Sequence, residues 1–376
     1  MNQKKASATI FFTATVLFLA VCGILLFALP QRTYSENENR YLTTFQPLSI
    51  SAFLDTSMQK NLTDSADDQF IGRDLWMKFA TALQHTAGFR DIGGVYLGKD
   101  GYYFERILDS HLSASRYQNN LRYLEQFANI YGSTVTFLPV PSKGTILKEY
   151  LPLNAVLYHA DSLYEQAAMQ LKKADLLDIR PSFLKETDHC QLYFKTDHHW
   201  TTYAAYLAYE AFCLLHNDTA IPLSQFSPEC VRKDFYGTLY SKAPDFCTQP
   251  DLLYLPCAIP ETDVSINKKK SEGIYDWGKL QSKDKYGVYF GGNFGQITIH
   301  NESSSNGKAL LIIKDSFANS LVPYLIDSYE TILLVDFRYY NKPLSRLIEK
   351  TQPDETLILY EISNFAQDTN FFKILK

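Results

Sequence analysis

The chain has 376 residues, 46% of them hydrophobic and 20% charged, which excludes a disordered protein and allows one large α/β domain with additions. Its 36 Lys and Arg against 41 Asp and Glu leave a net charge of −5, and no basic run is long enough to mark a nucleic-acid surface.

"MNQKK" precedes an apolar run in which Ala8 to Leu29, 22 residues, carry no charge, about one bilayer span. No amphipathic period survives there, which argues against a buried core helix. A cleaved signal peptide would have a shorter apolar region, roughly 7 to 15 residues, and "FALPQRT" makes a poor cleavage site. A lipoprotein signal ending at "LAVC" is disfavoured by the bulky Val21 and by the apolar residues that continue beyond Cys22. The reading is an uncleaved anchor over residues 1–30, with Lys4 and Lys5 holding the amino terminus inside and the rest of the chain extracytoplasmic. Outside the anchor stand Cys190, Cys213, Cys230, Cys247 and Cys257. That odd number permits two disulfides at most; Cys247 and Cys257 are the closest pair, and unpaired thiols are an equally good reading.

Gln31 to about Ile50 is polar, interrupted by Pro47, and reads as a juxtamembrane linker. A helical pattern follows in "DQFIGRDLWMKFATALQHTAG", where Ile71, Leu75, Trp76, Phe79 and Leu83 share one face; linker and helical region together span 31–84. Residues 85–376 are the expected extracytoplasmic domain. It opens with a hairpin, "GGVYLGKDGYYFE", turning at Asp100-Gly101. Helices such as "RYQNNLRYLEQFANIYG" then alternate with short apolar strands such as "STVTFLPV". The unbroken apolar strands "ALLII" and "TILLV" need a sheet buried on both faces, hence an α/β fold with a doubly wound parallel sheet. From about 217 to 306 the chain is irregular and reads as a long insertion with short strands.

Two stretches carry chemistry. In "KTDHHWTTYAAYLAYEAF" an acid, two histidines and a tryptophan stand before a helix that begins near Thr201, with Tyr203, Leu207 and Leu214 available for packing. Residues two apart share a face of an extended segment, so Asp197 and His199 are expected to point together and His198 away. In "LLIIKDSFANS" an apolar strand stops at Lys314, and Asp315, Ser316 and Phe317 fall where a helix begins. Loops at the carboxyl ends of such strands carry ligands, although a helix cap is the plain reading of Asp315 or Ser316. A serine hydroxyl is a weak nucleophile until a base takes its proton, and histidine does this best when a carboxylate fixes its tautomer. Ser316, His199 and Asp197 supply all three groups.

These stretches, with "ENRYL", "GKDGYYFE", "PVPSK", "FYGTLYSK" and "VDFRYY" in that order, resemble the DHHW proteins, relatives of the SGNH-hydrolase-like domains of alginate O-acetyltransferases. The likeness runs from about Glu36 to Asn364. It implies an SGNH-hydrolase-like fold in which the Asp-x-His element precedes the serine, with Asp197 orienting, His199 as base and Ser316 as nucleophile. The glycine usual before Asp-Ser in SGNH esterases is Lys314 here, which leaves the oxyanion hole less defined. The Ser316 N–H is one expected donor, and Ser142 is a candidate for the second. The resemblance further implies an acetyl group moved through an acyl-serine onto a polysaccharide acceptor, no cofactor, and a membrane-bound O-acyltransferase partner that delivers the acetyl group.

Asp315, His198, Arg338 and Ser142 are the candidate substrate contacts, a salt bridge with Asp336 being the structural alternative for Arg338. Asp188 and His189 echo Asp197 and His198, and with Cys190 they raise a metal site. No metal is expected, since no i, i+4 His pair and no second ligand cluster accompany them. Three functions fit: an extracytoplasmic O-acetyltransferase acting on a cell-surface or secreted polysaccharide, a carbohydrate acetylesterase with the same triad, and a non-catalytic glycan-binding protein.

Overall fold

The computed structural model describes residues 2–38, 40–131, 134–186 and 191–376. Helix α1, Asn2–Ala28, includes a 23-residue stretch, Ala6–Ala28, long and apolar enough to cross a membrane. It belongs to a compact unit that ends at Phe89 and also takes in Ala243–Cys247; Arg90–Lys242 and Thr248–Lys376 form the other unit. In the first unit the helix expected across 68–88 is split into Ser57–Gln69 and Arg73–Thr86. Gly72, with a left-handed φ of 64°, breaks it.

The second unit is built on eight strands: β1 (Thr134–Val140), β2 (Asp175–Leu176), β3 (Thr262–Ile266), β4 (Lys269–Ser271), β5 (Gln296–Asn301), β6 (Ala309–Lys314), β7 (Thr331–Val335) and β8 (Glu355–Glu361). Their order in the sheet is β4-β3-β5-β7-β6-β8-β1-β2. From β7 to β2 every pairing is parallel, and Ile313 lies in register with Val335 on one side and Ile358 on the other. The pairings among β4, β3, β5 and β7 are antiparallel. The sheet is therefore mixed, and the irregular stretch supplies three of its strands.

Side chains alternate between the two faces as the pleat requires. Leu310, Ile312, Leu357 and Leu359 enter one core, while Leu311, Ile313 and Ile358 enter the other. Helices α2 (Ala114–Tyr131) and α3 (Ala160–Gln170) cover the second face through residues such as Leu121, Phe127 and Leu163. Helix α4 (Thr202–Leu215) contributes Ala204, Ala205, Ala208, Tyr209 and Phe212 to the first core. Leu214, expected to pack, is exposed instead. Burial of both faces explains why the parallel strands are apolar throughout.

Cys213, Cys230, Cys247 and Cys257 are free thiols, so Cys247 and Cys257 do not close a loop. Asp188, His189 and Cys190 lie outside the described residues.

Candidate active site

Strand β6 ends at Lys314, and the next residue turns the chain. Asp315 caps a 3-10 turn, Ser316–Ser320, by accepting the Phe317 N–H at 2.9 Å through Oδ1. Its Oδ2 accepts the Glu361 N–H and the Asn364 amide, both at 2.9 Å, which ties the end of β8 to the residue before Ser316. Burial pushes the Asp315 pKa up, against these hydrogen bonds. With 2% exposure and both oxygens engaged, Asp315 braces the serine turn, and it also lines the cavity that Arg338 lines.

The segment 195–199 is a bend, not the extended run expected. Asp197 Oδ1 accepts the His199 backbone N–H at 2.9 Å, an Asx turn that folds the acid back over the imidazole. The same oxygen accepts from His199 Nδ1 at 2.6 Å, and Nε2 then accepts the Ser316 hydroxyl at 2.8 Å. Asp197 Oδ2 accepts the Thr238 N–H at 2.8 Å and its hydroxyl at 3.1 Å. Having given its one hydrogen to Asp197, the Thr238 oxygen accepts from His198 Nδ1 at 2.7 Å. His198 therefore does not point away: its ring centroid is 3.9 Å from that of His199, and both rings flank Asp197. The bend brings together what an extended strand would have separated.

Burial lowers the His199 pKa to about 4, helped by His198 and opposed by Asp197, so the imidazole is neutral at pH 7 and able to take a proton. Burial alone would raise the Asp197 pKa; His198, His199 and the Thr238 N–H hold it well below the usual carboxylate range. A neutral base beside an ionised acid is the pairing a serine needs.

Several supporting groups carried no sequence assignment. The buried Trp200 donates its indole N–H to the Phe317 carbonyl at 3.0 Å and to Ser320 Oγ at 2.8 Å, pinning the serine turn to the histidine bend. Tyr286 stacks on His199 at 3.8 Å and donates to the Ser316 carbonyl at 3.1 Å. Asp251 accepts the Lys195 and Thr196 N–H groups at 2.6 and 2.8 Å. A Cβ on Gly237 would lie 2.2 Å from the Asp197 Cβ, so only glycine lets the segment before Thr238 approach. Lys143 reaches the carbonyl of Asp197 at 2.6 Å. Trp200, Gly237 and Lys143 stood inside "TDHHW", "FYGTLYSK" and "PVPSK", a signal that was legible; Tyr286 and Asp251 had none.

Ser142 and His198 line one small cavity of about 40 Å³ with Lys143, Phe317, Glu361 and Asn364. Ser142 shares a 2.9 Å hydrogen bond with Thr145 Oγ1. Arg338 lines a neighbouring cavity of about 270 Å³ with Asp315 and Asn364, and it pairs with Asp336 at 2.5 Å, the structural alternative noted for it. The Lys314 ammonium, fully buried, donates to Asn319 at 2.7 Å and Asn293 at 3.0 Å, and burial lowers its pKa to about 8. Potential ligand atoms of Asp197, His198 and His199 lie within 4.8 Å of one another. In this arrangement His199 commits both ring nitrogens to Asp197 and Ser316.

Residues 156–335 match the family model described as DHHW protein. That match spans a little under half of the chain. The DHHW match takes in both the histidine bend and the serine turn. Among solved structures, a DHHW family protein from Eubacterium siraeum is similar over 75% of this chain and 95% of its own, with 24% identity and a TM-score of 0.62. Bacillus cereus PatB1, solved with a sulfonyl adduct, is similar over 75% of this chain and 100% of its own, with 19% identity and a TM-score of 0.61. The O-acetyltransferase domain of Pseudomonas putida AlgJ aligns over 73% of this chain and 93% of its own, at 15% identity and a TM-score of 0.44. No curated protein matches the sequence. The SGNH-hydrolase-like α/β fold expected beside the DHHW resemblance is the fold observed, with an apolar helix before it.

Proposed function

We propose that this protein is an extracytoplasmic O-acetyltransferase that modifies a polysaccharide through an acyl-serine. The observation that carries the reading is the continuous relay from Asp197 through His199 to the Ser316 hydroxyl, with contacts of 2.6 and 2.8 Å. Ser316 Oγ attacks the donor's acetyl carbonyl while His199 Nε2 takes its proton; the bond to the leaving oxygen breaks and His199 returns the proton to it. A sugar hydroxyl then gives its proton to His199 and attacks the acyl carbon. Release of Ser316 Oγ, reprotonated by His199, completes the cycle. The Ser316 N–H, at the first residue of its turn, is the proposed oxyanion donor, with Ser142 a candidate for the second. His198, beside the small cavity, and Arg338, beside the cavity that Asp315 lines, are the proposed acceptor contacts. A membrane-bound O-acyltransferase is the proposed acetyl source, with α1 keeping the two proteins in one membrane.

PatB1's sulfonyl adduct recommends a sulfonyl fluoride as the probe here. It is expected to modify Ser316, located by peptide mass mapping, and to leave Ser316→Ala and His199→Ala unmodified. Modification that persists in Ser316→Ala would remove the nucleophile assignment, and a fully inert folded chain would favour the glycan-binding reading. Turnover of a chromogenic acetyl ester, with and without oligosaccharides, separates transfer from hydrolysis: acetylated oligosaccharide marks the transferase, free acetate alone the esterase.

A further inference from the structure

Lys143 follows β1 at the start of a one-turn helix, Lys143–Ile146, and is 4% exposed. Its ammonium donates to three main-chain carbonyls: Tyr103 at 2.7 Å, Lys195 at 3.2 Å and Asp197 at 2.6 Å. Three hydrogens meet three acceptors. Two of these carbonyls belong to the bend that presents Asp197 and His199. The third belongs to the strand Tyr103–Glu105, whose Tyr103 N–H donates to the Lys195 carbonyl at 2.8 Å. Asp251 grips the N–H side of the same bend through Lys195 and Thr196, so the bend is held from both sides.

We propose that Lys143 is a positioning residue whose charged ammonium fixes the Asp197 backbone and thereby aims the Asp197 carboxylate at His199. The inference rests on the acyl-serine reading above. A buried lysine is costly unless its charge has work that a neutral group cannot do. Here a neutral amine would keep two hydrogens and turn its lone pair toward one of three carbonyl oxygens. Arginine cannot replace it, because a planar fork does not converge on a tripod of acceptors. The groups that face the amine are Asp197 on the bend, Asp251 and Glu105 on flanking strands, and His198 and Glu361 across the small cavity. Burial lowers the Lys143 pKa to about 7, and the attraction of Asp251, Asp197 and Glu105 opposes the fall.

The signs then define a window. His199 acts only when neutral, so activity is lost as pH falls through about 4. Lys143 acts only when charged, so activity is lost as pH rises through about 7.

The test measures acetyl-ester turnover of the full chain in detergent, from about pH 4 to about pH 9, for the parent, Lys143→Met and Lys143→Arg. Lys143→Met is expected to lose roughly 100-fold in kcat with KM within about threefold, the signature of a misaimed relay rather than a lost contact. Lys143→Arg should not recover it. The low-field imidazole proton resonance of the His199–Asp197 hydrogen bond should be lost in Lys143→Met, while circular dichroism remains that of the parent. If Lys143→Met does not fold, the alkaline limb of the parent's own profile decides: a limb near pH 7 supports the assignment and a flat profile through about pH 9 overturns it. Parent-like kcat and an unchanged pH profile in Lys143→Met overturn the inference alone. A parent inert toward the ester overturns the acyl-serine reading and this inference with it.

Discussion

Asp197 accepts four hydrogen bonds, as many as an ionised carboxylate has lone-pair sites, and this saturation separates the roles of the two adjacent histidines. His199 hydrogen-bonds Asp197 at 2.6 Å, whereas His198 Nδ1 hydrogen-bonds the Thr238 hydroxyl and stands 3.5 Å from Asp197 Oδ1. Asp197→Asn should keep the fold and lose about 10⁴-fold in turnover, because an amide in that place favours the wrong imidazole tautomer. His199→Ala should lose a similar factor. His198→Ala removes one hydrogen bond from a neighbour of the relay, worth about 1 kcal/mol, and should cost no more than about tenfold. Turnover read beside circular dichroism checks all three. A metal held by both histidines predicts instead that His198→Ala and His199→Ala fail together and that a chelator inactivates the parent. The types of residue in the relay were legible from the sequence, but the direction of His198 was not. Spacing alone implied an extended strand, and the Asx turn that bends it depends on where one Asp197 oxygen lies.

At the scale of elements, the relay is the meeting of a bend before α4 with a turn after β6, and both are held by residues far away in the chain. Gly237 shows how tight that meeting is. An added methyl would overlap the Asp197 Cα at 2.5 Å as well as its Cβ, and backbone cannot swing aside as a flexible side chain can. Gly237→Ala should therefore displace the acid, lowering kcat roughly 100-fold, and destabilise the protein by about 1–3 kcal/mol, measurable by urea denaturation. A kcat within twofold of the parent would mean that the bend adjusts freely. The parallel strands β1, β6, β7 and β8 were readable because burial on both faces leaves unbroken apolar runs. Strands β3 and β4 were not. Their turn, Asn267-Lys268, takes positive φ at both positions, 48° and 70°, without the glycine that usually announces such a hairpin. Tyr286 went unread for a related reason: nothing in "KDKYGVYF" distinguishes the one ring that stacks on His199 from the neighbouring Tyr289.

At the scale of the whole molecule, the compartment determines which substrates the relay can meet. The apolar stretch Ala6–Ala28 would rise about 35 Å as a helix, enough to cross a hydrocarbon core of about 30 Å. Lys4 and Lys5 are the charges on its amino-terminal side, and under the positive-inside rule the proposed topology keeps that end in the cytoplasm and the relay outside. In the proposed function the acceptor is an extracytoplasmic polysaccharide and the acetyl donor is supplied through the membrane, so anchoring and a membrane-borne donor go together in that proposal. A reporter that is active only outside the cytoplasm, fused after Lys376, should therefore be active, and the chain should sediment with membranes after a high-salt wash. Replacing Lys4 and Lys5 with glutamate should reduce the reporter signal, since the orienting charge is gone. The opposite result, a cytoplasmically active reporter on the parent chain, would leave the relay facing soluble metabolites and would remove the polysaccharide from the proposal while leaving the Ser316 chemistry untouched.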